Sequence, residues 1–239
     1  VSGELDNTVV ILHSDHGEEF WEHGGCDHGH ALHEELLRVP FAIVWPGRVP
    51  AQRIATRVRT LDLYPTLAEL LGWNYYVNPR NKVILTRYEI VEEKRDGVKV
   101  KLPAGQEAYI FNLHLASNPY QPYQLLSIRP KWHKHKDTPF IKTEAEAIEA
   151  AQKARGRDIA RLLRVIRFLP DKEAPVFVVG DFNEPSHLDW TEAAAKAGRH
   201  PMKVAYPNSQ AMIAAGFTDS YRSIHPDEMK TPGFTWSPI

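Results

Sequence analysis

An aspartate and a histidine stand side by side directly after an apolar run near the beginning of this sequence. The run occupies residues 9–12, and Asp15 and His16 follow it. Carboxylate and imidazole groups are ordinary ligands of divalent cations, and the remaining donors decide whether a site suits calcium, manganese or zinc. Because side chains that follow sheet strands gather around ligands, the pair predicts half of a metal site.

A second apolar run, at residues 176–179, is followed by a similar group of polar residues. Asp181 and Asn183 come directly after it. Asp181 could hold a divalent metal or orient a water, and Asn183 could donate to a phosphate oxygen without adding repulsive charge. The Gly-Asp-x-Asn pattern is equally typical of an ordinary Asx turn. A further predicted strand ends in His114, which adds a candidate catalytic side chain to this second group.

The elements that position the first pair are predicted from the spacing of apolar residues. The β-branched run is typical of a strand that is buried on both faces in a parallel sheet. A later helix has recognisable bounds, because Pro65 is tolerated in its first turn and Gly72 is the residue type that commonly follows a helix end. The predicted elements are strands at 8–12 and 40–45 and helices at 31–37 and 63–71. Residues 1–73 therefore predict a partial parallel-type sheet with helices, in the α/β class.

The pattern changes after Trp73, and we place a junction at residues 74–80. The strands beyond it alternate with turns, and the Asp96-Gly97 pair favours a tight hairpin turn. The predicted strands are 88–93, 98–102, 108–115 and 176–179. Residues 81–239 therefore predict a second α/β domain.

One long helix is predicted in this second part. Thr143 and Glu146 match the capping box, in which the two side chains accept hydrogen bonds from each other's backbone amides. The apolar residues that follow fall mainly on one stripe, as far as Phe168. We therefore expect this helix to cover a face of the sheet.

The residues around the first pair form a longer pattern. Its stretches are 6–19, 28–30, 34–40, 45–47 and 62–66. This pattern resembles the sulfatase branch of the alkaline phosphatase superfamily over residues 1–73. The resemblance implies that Asp15 and His16 bind Ca²⁺, Mn²⁺ or Zn²⁺, and that His28 contacts the sulfate or phosphate oxygens of an ester.

Sulfatases of this type also use further aspartate ligands and a nucleophilic cysteine or serine converted to formylglycine, which come from sequence far upstream. This sequence does not supply them in that pattern, since Cys26 is followed by Asp27 and not by the proline and arginine of the modification motif. We therefore expect the first site, on its own, to bind metal weakly and to lack a nucleophile.

The residues around the second group resemble a different family. The stretches 109–115, 180–183, 216–221 and 233–236 are similar to the endonuclease/exonuclease/phosphatase family over residues 80–239. The resemblance implies an incomplete α/β sandwich of the deoxyribonuclease I-like type and a Mg²⁺ or Mn²⁺ ion. It also implies that Asp181 positions metal and water, and that His114 and Asn183 assist at the phosphate. The family's other metal-binding and base residues lie outside this sequence.

Three functional interpretations follow from these resemblances. The leading one is a metal-dependent hydrolase of phosphoric esters that acts through His114, Asp181 and Asn183, and that could be inactive as written. The second is a sulfuric ester or phosphonate ester hydrolase that acts through Asp15, His16 and His28. The third is a non-catalytic chain, a fusion of two incomplete pieces.

Composition limits the partners that the chain can have. Its 239 residues include 29 Lys and Arg against 30 Asp and Glu, which gives a formal net charge of −1. A nucleic acid partner is therefore possible through a local patch, such as the basic and aromatic residues 131–136, but net charge does not indicate it. We expect a soluble protein without a transmembrane segment or signal peptide. The sequence does not indicate its cellular compartment.

Overall fold

The computed structural model describes residues 8–29, 31–78, 82–128 and 138–233. The chain forms two compact units, Val1–Thr66 and Leu67–Ile239. Within the described ranges, no helix has the length and apolar character needed to cross a membrane. The basic stretch at residues 131–136 lies outside the described residues.

The first unit is built from short elements. A 3₁₀ turn at Thr60–Asp62 precedes its last helix, which continues across the boundary into the second unit. The elements in chain order are β1 (Val10–His13), β2 (Glu19–Phe20), β3 (Cys26–Asp27), α1 (Glu34–Leu37), β4 (Phe41–Val44) and α2 (Leu63–Leu71). The strands form two antiparallel ribbons, β1 with β4 and β2 with β3.

The predicted parallel-type sheet in this unit is wrong. β1 pairs with β4 in the antiparallel direction, with Leu12 opposite Ala42. Leu12 is 63% exposed, so this strand is not buried on both faces as a parallel sheet strand would be. The apolar run fixes an extended backbone, but the direction and the covering layers depend on partners that lie elsewhere in the chain.

The helices of this unit follow the sequence more closely. α1 is shorter than the predicted helix at 31–37, and α2 has the predicted bounds. Gly72 follows α2 with a φ of +64°, the left-handed conformation that ends helices. The residue ranges of the two units divide between Thr66 and Leu67, within α2. Residues Asn74–Val77 of the predicted junction at 74–80 form a strand, and the junction itself stays a prediction.

The second unit contains a four-stranded sheet, a two-stranded ribbon and six helices among its described residues. Its elements are β5 (Asn74–Val77), β6 (Val83–Thr86), β7 (Glu89–Lys94), β8 (Gly97–Lys101), β9 (Glu107–His114), α3 (Gln121–Leu125), α4 (Glu144–Ala151), α5 (Arg157–Arg167), β10 (Val176–Asp181), α6 (Glu192–Lys196), α7 (Pro207–Ala214) and α8 (Ser220–Ile224). The sheet order is β10-β9-β8-β7, and only the β9–β10 pair in it is parallel. The unit is therefore a mixed α/β structure.

The four-stranded sheet is packed on both faces. On one face, Tyr109 and Phe111 of β9 join Ile159 and Leu162 of α5 in an apolar core. On the other face, side chains of β8 and β9 pack against the β5–β6 ribbon, in a cluster of Tyr76, Ile84, Val98, Val100 and Ala108. This alternation along β9 is the two-residue period of a strand buried on both sides.

β10 is an edge strand of this sheet. Val176 and Val178 pack towards the α5 core. Phe177 and Val179 alternate with them and are 54% and 51% exposed. The apolar cover on the second face of the sheet therefore does not extend over β10.

The capping box is confirmed. The Thr143 hydroxyl accepts from the Glu146 amide at 3.2 Å, and Glu146 accepts from the Thr143 amide at 3.0 Å. The predicted long helix is confirmed as a continuous run of α4 and α5, which are joined by a π-helical turn at Gln152–Gly156. Arg155 lies in this turn and is fully buried.

The hairpin predicted at Asp96-Gly97 is present, but glycine serves another purpose there. Gly97 is already the first residue of β8, paired with Lys94. A Cβ atom at this position would lie 2.4 Å from the Ile110 carbonyl oxygen and 2.7 Å from the Phe111 ring. Glycine is therefore required by the close approach of β9.

Candidate functional site

The loop after β1 presents the predicted Asp15–His16 pair. The Asp15 Oδ2 atom lies 3.6 Å from His16 Nε2, and the Asp15 side chain is 86% exposed. The His16 Nδ1 atom lies 2.7 Å from the Gly17 carbonyl oxygen. A hydrogen bond from Nδ1–H to that carbonyl leaves Nε2 as the nitrogen with a free lone pair, which is the usual arrangement of a metal-binding histidine.

His28 lies directly beside this pair. Its imidazole stacks on that of His16, with ring centroids 3.7 Å apart and an interplanar angle of 23°. The His28 Nδ1 atom is 3.3 Å from Glu18 Oε2. The structure therefore brings together the two predicted metal ligands and the predicted substrate contact of the first unit.

Glu18 was not predicted as a site residue. Its carboxylate joins His16 and His28 in a group whose potential ligand atoms all lie within 4.8 Å of one another. Glu18 follows His16 by two residues, a spacing that would put both side chains on one side if the segment were extended. That spacing is the signal that would have identified it.

The second predicted group lies at the end of the parallel strand pair. His114 and Asp181 are direct partners in the β9–β10 register. Their side chains are 64% and 62% exposed, and His114 Nε2 lies 3.9 Å from Asp181 Oδ2. Parallel strands bring their carboxyl ends to the same edge, which is why two residues far apart in sequence meet here.

Asn183, the third residue of this group, lies in an ordinary Asx turn, which is the alternative that the Gly-Asp-x-Asn pattern also predicted. The Asn183 amide donates to Asp181 Oδ1 at 2.8 Å, which is the hydrogen bond of an Asx turn. Its side-chain Nδ2 donates to the Leu115 carbonyl oxygen at 3.0 Å. Asn183 has a φ of +49°, a conformation that asparagine tolerates better than most residues. Its side chain is therefore held against the backbone of Leu115, in the turn that follows Asp181.

The sequence did not predict a buried ion pair that involves Glu184, the residue directly after Asn183. Arg155 Nη1 is 3.9 Å from Glu184 Oε2, with both side chains almost completely buried. The guanidinium also donates to the Ala116 and Pro119 carbonyl oxygens and to Gln121 Oε1, at 2.8, 2.9 and 2.7 Å. Burial lowers the pKa of Arg155 and raises the pKa of Glu184. Burial also raises the pKa of the neighbouring Tyr120 to about 12.

The predicted metal ligands belong to both units. Asp15 and His16 lie in the first unit and Asp181 in the second. Over the described ranges, the groups of three or more potential ligands are in the first unit, and Asp181 is in neither of them. A metal role for Asp181 therefore stays a prediction.

Comparison with known proteins relates the first part of the chain to one family. Residues 1–73 match the Sulfatase family. Arylsulfatase K of Xenopus laevis is 38% identical over 71 residues, which are 30% of this chain and 13% of that protein. The Δ4,5-hexuronate-2-O-sulfatase of Bacteroides thetaiotaomicron is 34% identical over 70 residues, 28% of this chain and 14% of that protein.

One relative covers more of the chain. The uncharacterized protein F14F9.5 of Caenorhabditis elegans is 28% identical over 213 residues, which are 82% of this chain and 62% of that protein. A match over 82% of the chain is longer than either residues 1–73 or residues 74–239 alone. This similarity therefore includes residues on both sides of residue 73. This chain thus spans less than two thirds of the length of each of these relatives.

The similarities support the first resemblance and not the second. They give no support for an endonuclease/exonuclease/phosphatase segment, for a deoxyribonuclease I-like fold or for a fusion. The Sulfatase match ends at residue 73 and agrees with the geometry of Asp15, His16 and His28. The resemblance of residues 1–73 to the Sulfatase family is therefore supported.

Proposed function

We propose that the first unit forms the metal-binding and ester-binding part of a sulfuric ester hydrolase. The observation that carries this proposal is the position of His28, which stacks on His16 while His16 faces Asp15. An imidazole beside two metal ligands lies where a sulfate oxygen on the metal would meet a hydrogen-bond donor. The sulfatase-family match over the same residues supports this assignment.

The donor atoms fit the divalent metal that the family implies, such as Ca²⁺. The 3.6 Å between Asp15 Oδ2 and His16 Nε2 suits two ligands of one cation. Calcium takes about six to eight ligands, mainly oxygens, so the Asp15 carboxylate and the His16 imidazole nitrogen would have to be joined by further oxygen donors. When bound, the cation would neutralise charge on the ester oxygens. Asp15 and His16 hold it, and His28 binds the anion.

Binding of inorganic sulfate in the presence of Ca²⁺ tests the proposal on this chain. Isothermal titration should show sulfate binding that depends on Ca²⁺ and that Asp15→Ala and His16→Ala both remove. Asp227→Ala, in a turn of the second unit, is the matched aspartate control and should bind normally. Sulfate binding that is unchanged in Asp15→Ala would contradict the proposal. Hydrolysis of 4-nitrophenyl sulfate under the same conditions then measures whether binding leads to turnover.

The second unit supports a different candidate function, the hydrolysis of phosphoric esters with Mg²⁺ or Mn²⁺. The observation that favours it is the strand register, in which His114 and Asp181 are partners at the carboxyl ends of β9 and β10, with both side chains exposed and Asn183 in the turn that follows. In this proposal Asp181 orients the attacking water and holds the metal. His114 and Asn183 stabilise charge on the phosphate.

Hydrolysis of bis(4-nitrophenyl) phosphate separates the two proposals. Turnover that requires Mg²⁺ or Mn²⁺ and is lost in Asp181→Ala but kept in Asp15→Ala assigns phosphoesterase activity to the second unit. No metal-dependent turnover of either ester would favour the third interpretation, a chain that does not act as a catalyst by itself.

A further inference from the structure

A second group of metal-type side chains lies in the first unit, outside the proposed ester site. It comprises His23, His33 and Glu35, whose potential ligand atoms all lie within 4.8 Å of one another. The His23 Nε2 atom is 2.8 Å from Glu35 Oε1, and the rings of His23 and His33 stack with centroids 3.8 Å apart. Two imidazoles and one carboxylate are a donor set that zinc binds in proteins.

The backbone holds these three side chains in place. His33 is the residue before α1 and Glu35 lies within it, so a single helical turn carries both. His23 lies in a tight loop after β2, where the buried Glu19 carboxylate accepts from the His23 and Gly25 amides at 3.2 and 2.9 Å. The group is therefore largely formed before any ligand binds.

The contact between His23 and Glu35 leaves a hydrogen-bonding capacity unused. Within the described ranges, Glu35 Oε1 is shielded from solvent and makes no hydrogen bond of acceptable geometry, although it lies within ion-pair distance of His23. A cation between the carboxylate and the imidazoles would replace this ion-pair contact with direct bonds from all three side chains.

From these contacts we propose that His23, His33 and Glu35 form a zinc site distinct from the ester site. In a tetrahedral zinc site the donor atoms are about 3.4 Å apart, given zinc–ligand bonds of about 2.0–2.1 Å. The ligand atoms lie within 4.8 Å of one another, so zinc binding requires the 2.8 Å pair to open and the stacked rings of His23 and His33 to turn their nitrogens towards one point. Three protein ligands leave the fourth position for water or for another ligand.

A zinc titration of the whole chain, with competition against a chromogenic chelator, tests the proposed zinc site. The background variant is His16→Ala, because His16, Glu18 and His28 could bind zinc as well. This variant should retain one zinc equivalent. Adding His33→Ala should weaken the binding by more than the roughly 10- to 100-fold that loss of an outer-shell partner causes. Adding His33→Cys should preserve zinc binding, since a thiolate is also a zinc ligand.

The outcomes separate this inference from the proposed function. Zinc binding that survives His33→Ala overturns the zinc site, whatever sulfate binding shows. Loss of zinc binding in both His33→Ala and His33→Cys would mean a structural role only and would also overturn it. If either variant does not fold, histidine-selective NMR of the unmodified chain tests the zinc site instead. Zinc must then shift the ring signals of both His23 and His33, and unshifted signals would overturn the proposal. Sulfate binding with Ca²⁺ is measured separately, through Asp15.

Discussion

The imidazole of His28 stacks on the imidazole of His16, with 3.7 Å between ring centroids. His16 in turn faces Asp15, so one residue connects the carboxylate and the second imidazole. The three side chains come from the loop after β1 and the segment after β3. This relationship divides the roles within the proposed site, since two side chains hold the cation and the third can bind an anion.

The first prediction concerns His28 alone. His28→Ala should weaken Ca²⁺-dependent binding of inorganic sulfate by roughly 10- to 150-fold, the range for losing a hydrogen bond to a charged group of about 1.5–3 kcal/mol. Titration calorimetry with sulfate measures this effect, and His225→Ala is a histidine control in the second unit. Equal sulfate affinity in His28→Ala and the unmodified chain would show that His28 does not bind the anion.

A second prediction concerns Gly17, which lies against α1. The Gly17 amide donates to the Leu36 carbonyl oxygen at 2.8 Å, and a Cβ atom on Gly17 would lie 1.8 Å from the Glu35 carbonyl oxygen. Gly17→Ala should therefore lower the free energy of unfolding by about 1–3 kcal/mol, the usual effect of overpacking. Urea denaturation measures it, and Gly24→Ala, which meets no atom within 4 Å but has a φ of +80°, gives the effect of backbone strain without a clash. An alanine at 17 that is no worse than one at 24 would contradict the packing argument.

A third prediction concerns the buried pair Arg155 and Glu184. Arg155→Met should destabilise the protein by about 3–5 kcal/mol, because it leaves the Glu184 carboxylate buried without its countercharge. Adding Glu184→Gln should recover part of that loss, since the neutral amide has no charge to compensate. A double-mutant cycle from urea denaturation measures the coupling. Additive effects of the two substitutions would mean that the two side chains do not stabilise each other.

A fourth prediction concerns pH. Burial lowers the pKa of His200, whose ring stacks on Trp190 with centroids 4.4 Å apart. A histidine with a lowered folded-state pKa binds its proton more weakly when folded. Its contribution to stability is therefore present above the unfolded pKa of about 6.5 and is lost as the pH falls below that value towards the folded pKa.

The measurement for this prediction is the melting temperature at pH 7.5 and pH 5.5. His200→Phe keeps an aromatic ring against Trp190 and removes the titrating group, so its melting temperature should fall less between the two pH values. The comparison is the pH-dependent difference within each protein, because the lost contact between His200 Nδ1 and the Met202 carbonyl oxygen lowers stability at both. The same pH-dependent drop in both proteins would assign the effect to other groups.

Local signals predicted those features that depend on neighbouring residues in the sequence. The capping box of Thr143 and Glu146 forms both of its hydrogen bonds. Gly72 has a positive φ value directly after α2. These features depend on hydrogen bonds within one turn and on the conformational freedom of glycine, so a short stretch of sequence determines them.

Strand pairing could not be predicted in the same way. The apolar run that ends before Asp15 has the composition of a parallel strand, yet β1 lies in a two-stranded antiparallel ribbon. Val176–Asp181 has a similar composition and does pair in the parallel direction with β9. The direction depends on the connections and on the other strands that are present, and neither is encoded in the strand itself.

The candidate sites also contain some residues that local sequence signals predict and others that they do not. His114 and Asp181 could be predicted to lie close together because each lies at the end of a predicted strand, and the two are partners in the β9–β10 register. Arg155 and Glu184 could not be predicted, since an arginine within an amphipathic helical pattern is expected on the surface. Glu184 follows the turn at Asn183, and nothing in its immediate sequence indicates that it is buried.

Among the described residues no strand pairs with the outer edge of β10, and this has a consequence for how the protein behaves in concentrated solution. A sheet edge offers unpaired backbone amides and carbonyls, and natural edge strands usually carry lysine, proline or a bulge that discourages pairing with another chain. Residues Val176–Asp181 contain neither lysine nor proline, and Phe177 and Val179 expose about half of their surface beside that edge. Self-association through added strands should therefore increase with protein concentration, and a lysine at position 177 should reduce it.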